Sequence, residues 1–478
     1  MTIATGIAKK VSIKKETTYG VTPVKGSGLG YLTSAAYAIG STAITLTTGA
    51  GTVLAGDTVL FAGDATPYLV SGGIAAPGAI TLVSPGLKTA IALSAAVTVT
   101  SGAQAYRRAT SSMTLTKQGY ASAEIRPDYQ VADFRHGVRA APGDIKGELS
   151  PGTHALVIAA ALRAPFVSGV SIAGASITIA GSGPTYTVTR AAGSFLTDGF
   201  KAGDVIRLTV GAFNAANLNS NLFIVSVTAL VATVSALNGA ALVAEGPIST
   251  ATVSVYGRKC MVAATGQTND SFSIEHWHSD IFQSEAFVGC RVAQLDIGLP
   301  PTGLATLSTT FLGVNMVTAQ VQQLANPNPV SSSAVLASVN GIVTVGGVQV
   351  ALLTGLTIKL NASTTQQAVV GSNVVPDTFV GRIMVDGQMT VLFADAVMRD
   401  YFVNETEVAI ACAFGTSNNP SADFMSFILQ RIKVNGANKD DGEKGLVQTM
   451  PFRALLNVNG GPALASDYTT LSIQDSLA

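Results

Sequence analysis

The chain has 478 residues, of which 47% are hydrophobic and only 12% are charged, and its 28 Lys and Arg residues balance its 28 Asp and Glu residues. A net charge of zero argues against a protein that grips nucleic-acid phosphates, because such a protein needs a basic excess. A surface with so few charges favours a protein whose faces are covered by neighbouring subunits over a free monomer. The length alone predicts about three domains.

In chain order, two segments contain short runs of alternating polar and apolar residues that are separated by glycines. The first spans 44–103, where strand-like runs recur at spacings of about ten residues, which is typical of a small β-sandwich or barrel. The second spans 167–256 and includes the uncharged stretch 208–244. Because that stretch contains five asparagines, we predict buried strands there instead of a membrane span. Both segments are interpreted as inserted β modules.

Between these segments lies a charged stretch, 124–139, in a chain that is otherwise poor in charge. The alternatives are a solvated loop and a loop that docks between subunits. Long segments without secondary structure of their own are usually functional, so we predict docking. The expected interface residues are Glu124, Arg126, Asp128, Asp133, Arg135 and Arg139.

A short sequence occurs twice, first at 145–150 and again at 385–390, 240 residues later. Each copy is an alternating strand with a central glycine, and each is preceded by a Pro-Asp loop. Each also leads into an apolar stretch of helical period, 153–162 in the first copy and 393–402 in the second. Repetition at a fixed offset predicts a duplicated unit.

Two histidines are the best candidates for a metal site. On a strand, His276 and His278 would lie on one face, because side chains alternate. Two imidazoles can bind zinc if a third ligand joins them. The alternative is a polar strand face at an interface. No hydrolase, zincin or P-loop motif is present, so we predict no enzyme and no cofactor, and a metal-dependent enzyme centred on this pair is kept as an alternative.

The three cysteines, Cys260, Cys290 and Cys412, are widely spaced and odd in number, so we expect reduced thiols. No apolar core of a signal peptide is visible near the N terminus.

The densest charge cluster is 439–444, which lacks the ligand spacing of an EF-hand. We predict a hairpin loop that forms ion pairs with another subunit. The interface residues expected in the second half of the chain are Asp377, Arg382, Asp440, Asp441, Glu443 and Lys444.

Several of these segments, in their order along the chain, carry a family likeness. The sequence resembles the major tail tube proteins of long-tailed bacteriophages. In the first half the likeness lies in Lys15–Pro23, Ser122–Leu149 and Phe287–Val292. In the second half it lies in Val370–Asn373, Pro376-Asp377, Val385–Gln388, Asn404-Glu405 and Asp440–Thr449.

The resemblance implies a mainly β chain with two tandem tail-tube domains, each a β-sandwich or partial barrel with one helix, plus the two small inserted β modules. The expected boundaries are 1–43, 104–166 and 257–330 for the first tube domain, 44–103 and 167–256 for the modules, and 334–478 for the second tube domain.

It also implies a structural virion protein whose rings stack into a tube that conducts DNA without sequence-specific binding. Single-domain relatives form hexameric rings, so a two-unit chain predicts a trimer with pseudo-sixfold symmetry. Expected partners are further copies and the tail terminator, distal tail and tape measure proteins, with no membrane. The expected location is the tail of a siphovirus-like virion, after assembly in the host cytoplasm. The alternative is a head decoration protein or an adhesin, although 6% aromatic residues and a single tryptophan disfavour an adhesin.

Overall fold

The computed structural model describes residues 3–64, 66–350, 352–440, 443 and 445–478. Within these ranges the chain has 34 strands and three helices. Twenty strands form one extended sheet, two sets of six strands form closed barrels, and two strands form a separate pair. The predicted mainly β fold is therefore confirmed.

The N-terminal part of the chain leaves the large sheet, builds the first barrel and returns. Strand β1 (Lys9–Lys15) pairs with β8 (Gln104–Ala105), so the barrel between them interrupts two neighbouring strands. The barrel comprises β2 (Tyr31–Thr33), β3 (Ala43–Thr47), β4 (Thr58–Phe61), β5 (Tyr68–Gly72), β6 (Gly78–Leu82) and β7 (Ala96–Thr100). After it come β9 (Thr110–Ser111), β10 (Thr116–Ala121), β11 (Phe134–Glu148) and helix α1 (Ala155–Leu162).

The second barrel follows α1 and again interrupts the large sheet, because β12 (Val167–Ser168) pairs with β19 (Arg258–Met261). It comprises β13 (Ser171–Ser182), β14 (Thr185–Arg190), β15 (Val205–Val210), β16 (Leu222–Val227), β17 (Val231–Ala236) and β18 (Glu245–Val255), with the short helix α2 (Phe195–Asp198). Back in the large sheet are β20 (Phe272–His278), β21 (Gln283–Leu299), β22 (Thr306–Gly313) and β23 (Asn315–Ala319).

The second half of the chain adds its strands to the same large sheet. These are β24 (Gly341–Val345), β25 (Val348–Gln349), β26 (Leu353–Asn361), β29 (Met384–Leu392), β30 (Val408–Gly415), β31 (Phe424–Val434), β32 (Asn438–Lys439), β33 (Val447–Ala454) and β34 (Ser472–Asp475). The separate pair is β27 (Thr365–Gln366) with β28 (Thr378–Phe379), and the helix is α3 (Val397–Val403).

The first barrel starts earlier than the predicted insertion at 44. Tyr31 is only 1% exposed and lies in the core of this barrel, and β2 pairs with β3 and β7. The sequence pattern places 31–33 in the tube domain because a strand of three residues contains too little alternation to be recognised.

The second barrel is attached firmly to both halves of the chain. Its residues Val205 and Phe223 share an apolar cluster with Ile342 and Phe424 of the second half. At the same contact, Lys259 of β19 makes two buried ion pairs, which join the barrel, the first half and the C-terminal segment.

The two longer helices differ in burial. Helix α1 buries Val157, Ile158, Ala161 and Leu162 and ends at Arg163, which is in the left-handed conformation with a φ of 54°. Helix α3 has no fully buried residue. It begins later than predicted, because Phe393 still bonds to Leu446 beyond the end of β29 and the Asp395 carboxylate accepts from the Val397 N–H.

The predicted loop over 124–139 is only partly correct. Residues from Phe134 onward belong to β11, which pairs with β10 to form an exposed hairpin, so only the turn between them is a loop. All of β10 is exposed and lacks an apolar face, which is why the sequence pattern did not reveal it.

Candidate functional site

Eight strands from both halves of the chain lie side by side in one continuous ribbon. Their order is β9, β11, β22, β21, β26, β29, β33 and β31. One row of directly opposed partners crosses all eight: Ser111, Ile145, Thr309, Leu295, Leu360, Val385, Ala454 and Ile432. All but Ser111 are buried, so this face of the ribbon packs on the main core. The two halves meet at the pairing of Leu295 with Leu360, which continues the sheet without a break.

The opposite face of the ribbon is polar, because side chains alternate along a strand. The neighbouring row reads Thr110, Lys146, Ser308, Asp296, Lys359, Asp386, Arg453 and Lys433. Every member of this row is exposed or half-buried. The rows on either side add Asp144, Glu148 and Arg431, whose carbonyl accepts from the Leu455 N–H, so the three rows carry five basic and four acidic residues.

The charges on this face are interleaved. Asp296 faces Lys359, Lys359 faces Asp386, and the Arg453 guanidinium donates to the Asp386 carboxylate over 2.6 Å. Cross-strand pairs of opposite charge stabilise a sheet. The alternation ends at the last two strands, where Arg453 faces Lys433. Alternating sequence patterns predict most of these strands, including 290–297, 355–360 and 448–456, but they do not predict the row, which depends on how the strands pair. The only local signal is a charge at every second residue, as in Lys146 and Glu148.

The join between the halves is reinforced by the segment that contains β27 and β28. Arg291 of β21 forms a 2.9 Å ion pair with Asp377, and the Tyr19 hydroxyl donates to Thr378 over 2.7 Å. The Arg139 N–H bonds to the Asn373 carbonyl at 2.9 Å. Two predicted interface residues, Arg139 and Asp377, therefore contact the other half of their own chain.

The remaining predicted residues of the first half lie on the exposed hairpin of β10 and β11, which we call the arm (residues 116–140). Arg126 pairs with Asp128 at 2.9 Å, and Arg135 pairs with Asp133 at 2.7 Å. Glu124 lies 3.8 Å from Arg126. These pairs leave apolar side chains at the tip uncovered, since Ile125 is 99% exposed and Tyr129 is 98% exposed.

Arg382, Asp440 and Glu443 are also exposed, and they lie away from the arm in sequence, in the second half of the chain. The Asp440 N–H bonds to the Val447 carbonyl at 2.9 Å, which closes the hairpin of β32 and β33. Asp441 and Lys444 lie outside the described residues.

The two candidate metal ligands lie on β20. His276 is 2% exposed, its Nε2 is 2.8 Å from the Ser111 hydroxyl, and burial lowers its pKa to about 3. The His278 Nε2 lies 3.7 Å from the Glu285 carboxylate. Across the described ranges, no three His, Cys, Asp or Glu side chains come together in a way that could hold a metal ion. The structure therefore places His276 in the polar lining of the core beside Ser111.

Comparison with known proteins identifies the class. A family model described as phage tail tube protein matches residues 6–454, which is nearly the whole chain. The chain belongs to the phage tail tube protein family, and it is a structural component of the virion tail. No curated protein matches the sequence. None of the helices in the described residues is long and apolar enough to cross a membrane.

Proposed function

We propose that this tail tube protein assembles into trimeric rings with pseudo-sixfold symmetry and that the rings stack into the tube through which the genome is ejected. The observation that carries the proposal is the eight-strand ribbon. The glycine-centred strands, β11 and β29, are second in the first four strands and second in the last four, and each set of four ends with a long strand, β21 or β31. We infer that the chain is two fused tube units, so that three chains supply six units.

The ribbon supports a lumen of useful width. Three copies contribute twenty-four strands, and barrels of about 16–18 strands already leave an aqueous channel. The polar face of the ribbon would line this lumen, because the opposite face is buried in the core. This lining has five basic and four acidic residues per chain, and the fifth basic residue, Arg431, forms a 2.7 Å ion pair with Glu407. Such a lining lets DNA pass without holding it, since retention on phosphates needs a basic excess.

The arm is the surface that best fits contact between rings. Its Ile125 and Tyr129 are almost fully exposed and need a cover that the chain itself does not supply within the described residues. We infer that Glu124, Arg126, Asp128, Asp133 and Arg135 pair with residues of the next ring. At the tube ends the same kind of contact would meet the tail terminator and distal tail proteins, with the tape measure protein inside the lumen.

Negative-stain microscopy of the concentrated protein tests this function. Rings or tubes with a central channel are expected. A protein that stays monomeric at all concentrations and salt conditions would contradict the proposal.

A further inference from the structure

The join between the two halves of the chain shows what an interface between two copies should look like. There, β21 presents its outer edge to β26 in an antiparallel pairing, with Asp296 opposite Lys359 and Gly298 opposite Thr357. β21 is the fourth strand of the ribbon and β26 is the fifth, so this is the contact of one unit with the next.

Each end of the ribbon repeats one side of this join. In the first four strands the row of opposed partners runs Ile145, Thr309, Leu295, and in the last four it runs Val385, Ala454, Ile432. Ile432 on the last strand therefore occupies the place that Leu295 has on the fourth strand. On the first strand, Ser111 pairs with Ile145 as Leu360 pairs with Val385.

Both ends are open edges among the described residues. Thr110 and Ser111 pair only with β11, and Lys433 and Val434 pair only with β33. Ile432 itself is already bonded on the outer side by Val408, so the open part of the last strand starts at Lys433. Exposed strand edges are templates for pairing with another chain.

Resting on the proposed ring, we infer that residues 433–436 of one copy pair in antiparallel register with residues 107–110 of a second copy. Lys433 then lies opposite Thr110, as Asp296 lies opposite Lys359 inside the chain. The two edges differ, so the contact is head-to-tail, and a head-to-tail contact that closes under rotation produces a ring.

The charges at the inferred contact between two copies are compatible with the pairing. In this register Arg108 of the second copy lies diagonal to Lys433 on the same face, and nearby like charges weaken a sheet contact. Within its own chain, however, the Lys433 ammonium lies 3.7 Å from the Glu405 carboxylate and 4.0 Å from the Glu407 carboxylate. These two carboxylates compensate the positive charge of Lys433 at the contact between copies.

Disulfide trapping tests the register. A variant with Lys433→Cys and Thr110→Cys should form intermolecular disulfides on mild oxidation of assembled protein, giving covalent dimers and trimers on a non-reducing gel. Directly opposed strand residues have Cα atoms about 4.5–5.5 Å apart, within the range that a disulfide spans. The native cysteines are buried and do not compete.

Two matched variants control the experiment. Lys433→Cys with Ser112→Cys shifts the pair by two residues on the same face and should crosslink at least tenfold less. Asp296→Cys with Lys359→Cys should form a disulfide within one chain. Rings without the 433–110 crosslink would overturn the inferred register while leaving the tube function intact, whereas absence of any ring in the unmodified protein would overturn the tube function itself.

Discussion

Gly147 on β11 and Gly387 on β29 each lie against the carbonyl group of a neighbouring segment. A Cβ atom on Gly147 would lie 2.4 Å from the carbonyl oxygen of Arg107, and one on Gly387 would lie 2.5 Å from that of Thr357. Both positions favour glycine because no side chain fits between the backbone and these carbonyl groups.

Replacing Gly387 should therefore destabilise the sheet. Gly387→Ala places a methyl group against the Thr357 carbonyl and 2.3 Å from the Phe452 ring. Overpacking of this kind lowers the free energy of unfolding by about 1–3 kcal/mol. Chemical denaturation measures the change, and Gly6→Ala, where nothing lies within 4 Å, is the control expected to change stability by less than about 0.5 kcal/mol. Equal stability of the two variants would refute this steric explanation.

The buried ion triad around Lys259 should hold the second barrel and the two halves together. The Lys259 Nζ lies 2.6 Å from both the Asp204 and Asp467 carboxylates. Burial alone would lower the pKa of Lys259, but the two carboxylates outweigh it and raise this pKa.

Lys259→Met leaves two buried carboxylates without a counter-ion and should cost about 3–5 kcal/mol of stability at neutral pH. The control is Lys15→Met, which removes an ion pair with Asp270 whose lysine side chain is 54% exposed, and it should cost less than about 1 kcal/mol. Thermal unfolding compares the two, and similar losses would contradict a structural role for the triad.

His154 should make the protein sensitive to acid. Since the Glu148 carbonyl only accepts, the His154 Nε2–H donates to it over 3.0 Å, and Nδ1 accepts from the Tyr106 hydroxyl at 3.2 Å. Burial lowers the pKa of His154 to about 4 from an ordinary value of 6.5. The unfolded chain thus binds a proton that the folded chain rejects, so this stability is present above pH 6.5 and is lost as the pH falls toward 4.

Relative to His154→Gln, the unmodified protein should lose about 3 kcal/mol of stability between pH 7 and pH 4. Urea unfolding at a series of pH values measures this difference. His136→Gln, on the exposed arm, should track the unmodified protein. Parallel pH profiles for His154→Gln and the unmodified protein would show that His154 does not control acid stability.

The balanced charge of the polar face should decide whether DNA is retained. Asp296→Asn together with Asp386→Asn leaves five basic and two acidic residues in the three rows of each chain. Short duplex DNA should then cosediment with variant tubes at 50 mM salt and be released at 200 mM salt, because phosphate contacts weaken steeply with salt.

The charge-matched control is Asp64→Asn with Asp198→Asn, both in the barrels, which should bind no more DNA than unmodified tubes. Equal retention by both double variants would place the charged rows outside the lumen.

The arm should be needed for stacking but not for ring formation. Ile125→Asp with Val131→Asp adds charge to side chains that are 99% and 70% exposed, so folding is unaffected while the contact with the next ring is lost. Microscopy should show single rings in place of tubes. Ile39→Asp with Val83→Asp, on the first barrel, should still give tubes, and tubes from the arm variant would rule out this role.

The features that the sequence predicts correctly are those that depend on the pattern of neighbouring residues along the chain. The run 153–162 has an unbroken apolar period, and α1 forms within it. The stretch 393–402 has a similar period, but the backbone of Phe393 is drawn into the sheet by Leu446, a long-range contact that no local pattern contains.

Strand partners were the part that could not be predicted. The alternation of 290–297 indicates a strand, but nothing in those residues says that Leu295 pairs with Leu360 across the join. The charged row depends on the same pairings, because Lys146, Asp296 and Lys359 become neighbours only when three distant strands meet. Pairing between distant segments is set by the whole fold and not by local preference.

Cryo-electron microscopy of assembled tubes in cross-section counts the chains in each ring. We expect three chains of 48.6 kDa, with twenty-four strands in a nearly sixfold arrangement around the lumen and threefold symmetry on the outside, formed by the barrels. Six chains in each ring, or a lumen lined by strands other than those of the eight-strand ribbon, would contradict the proposed ring.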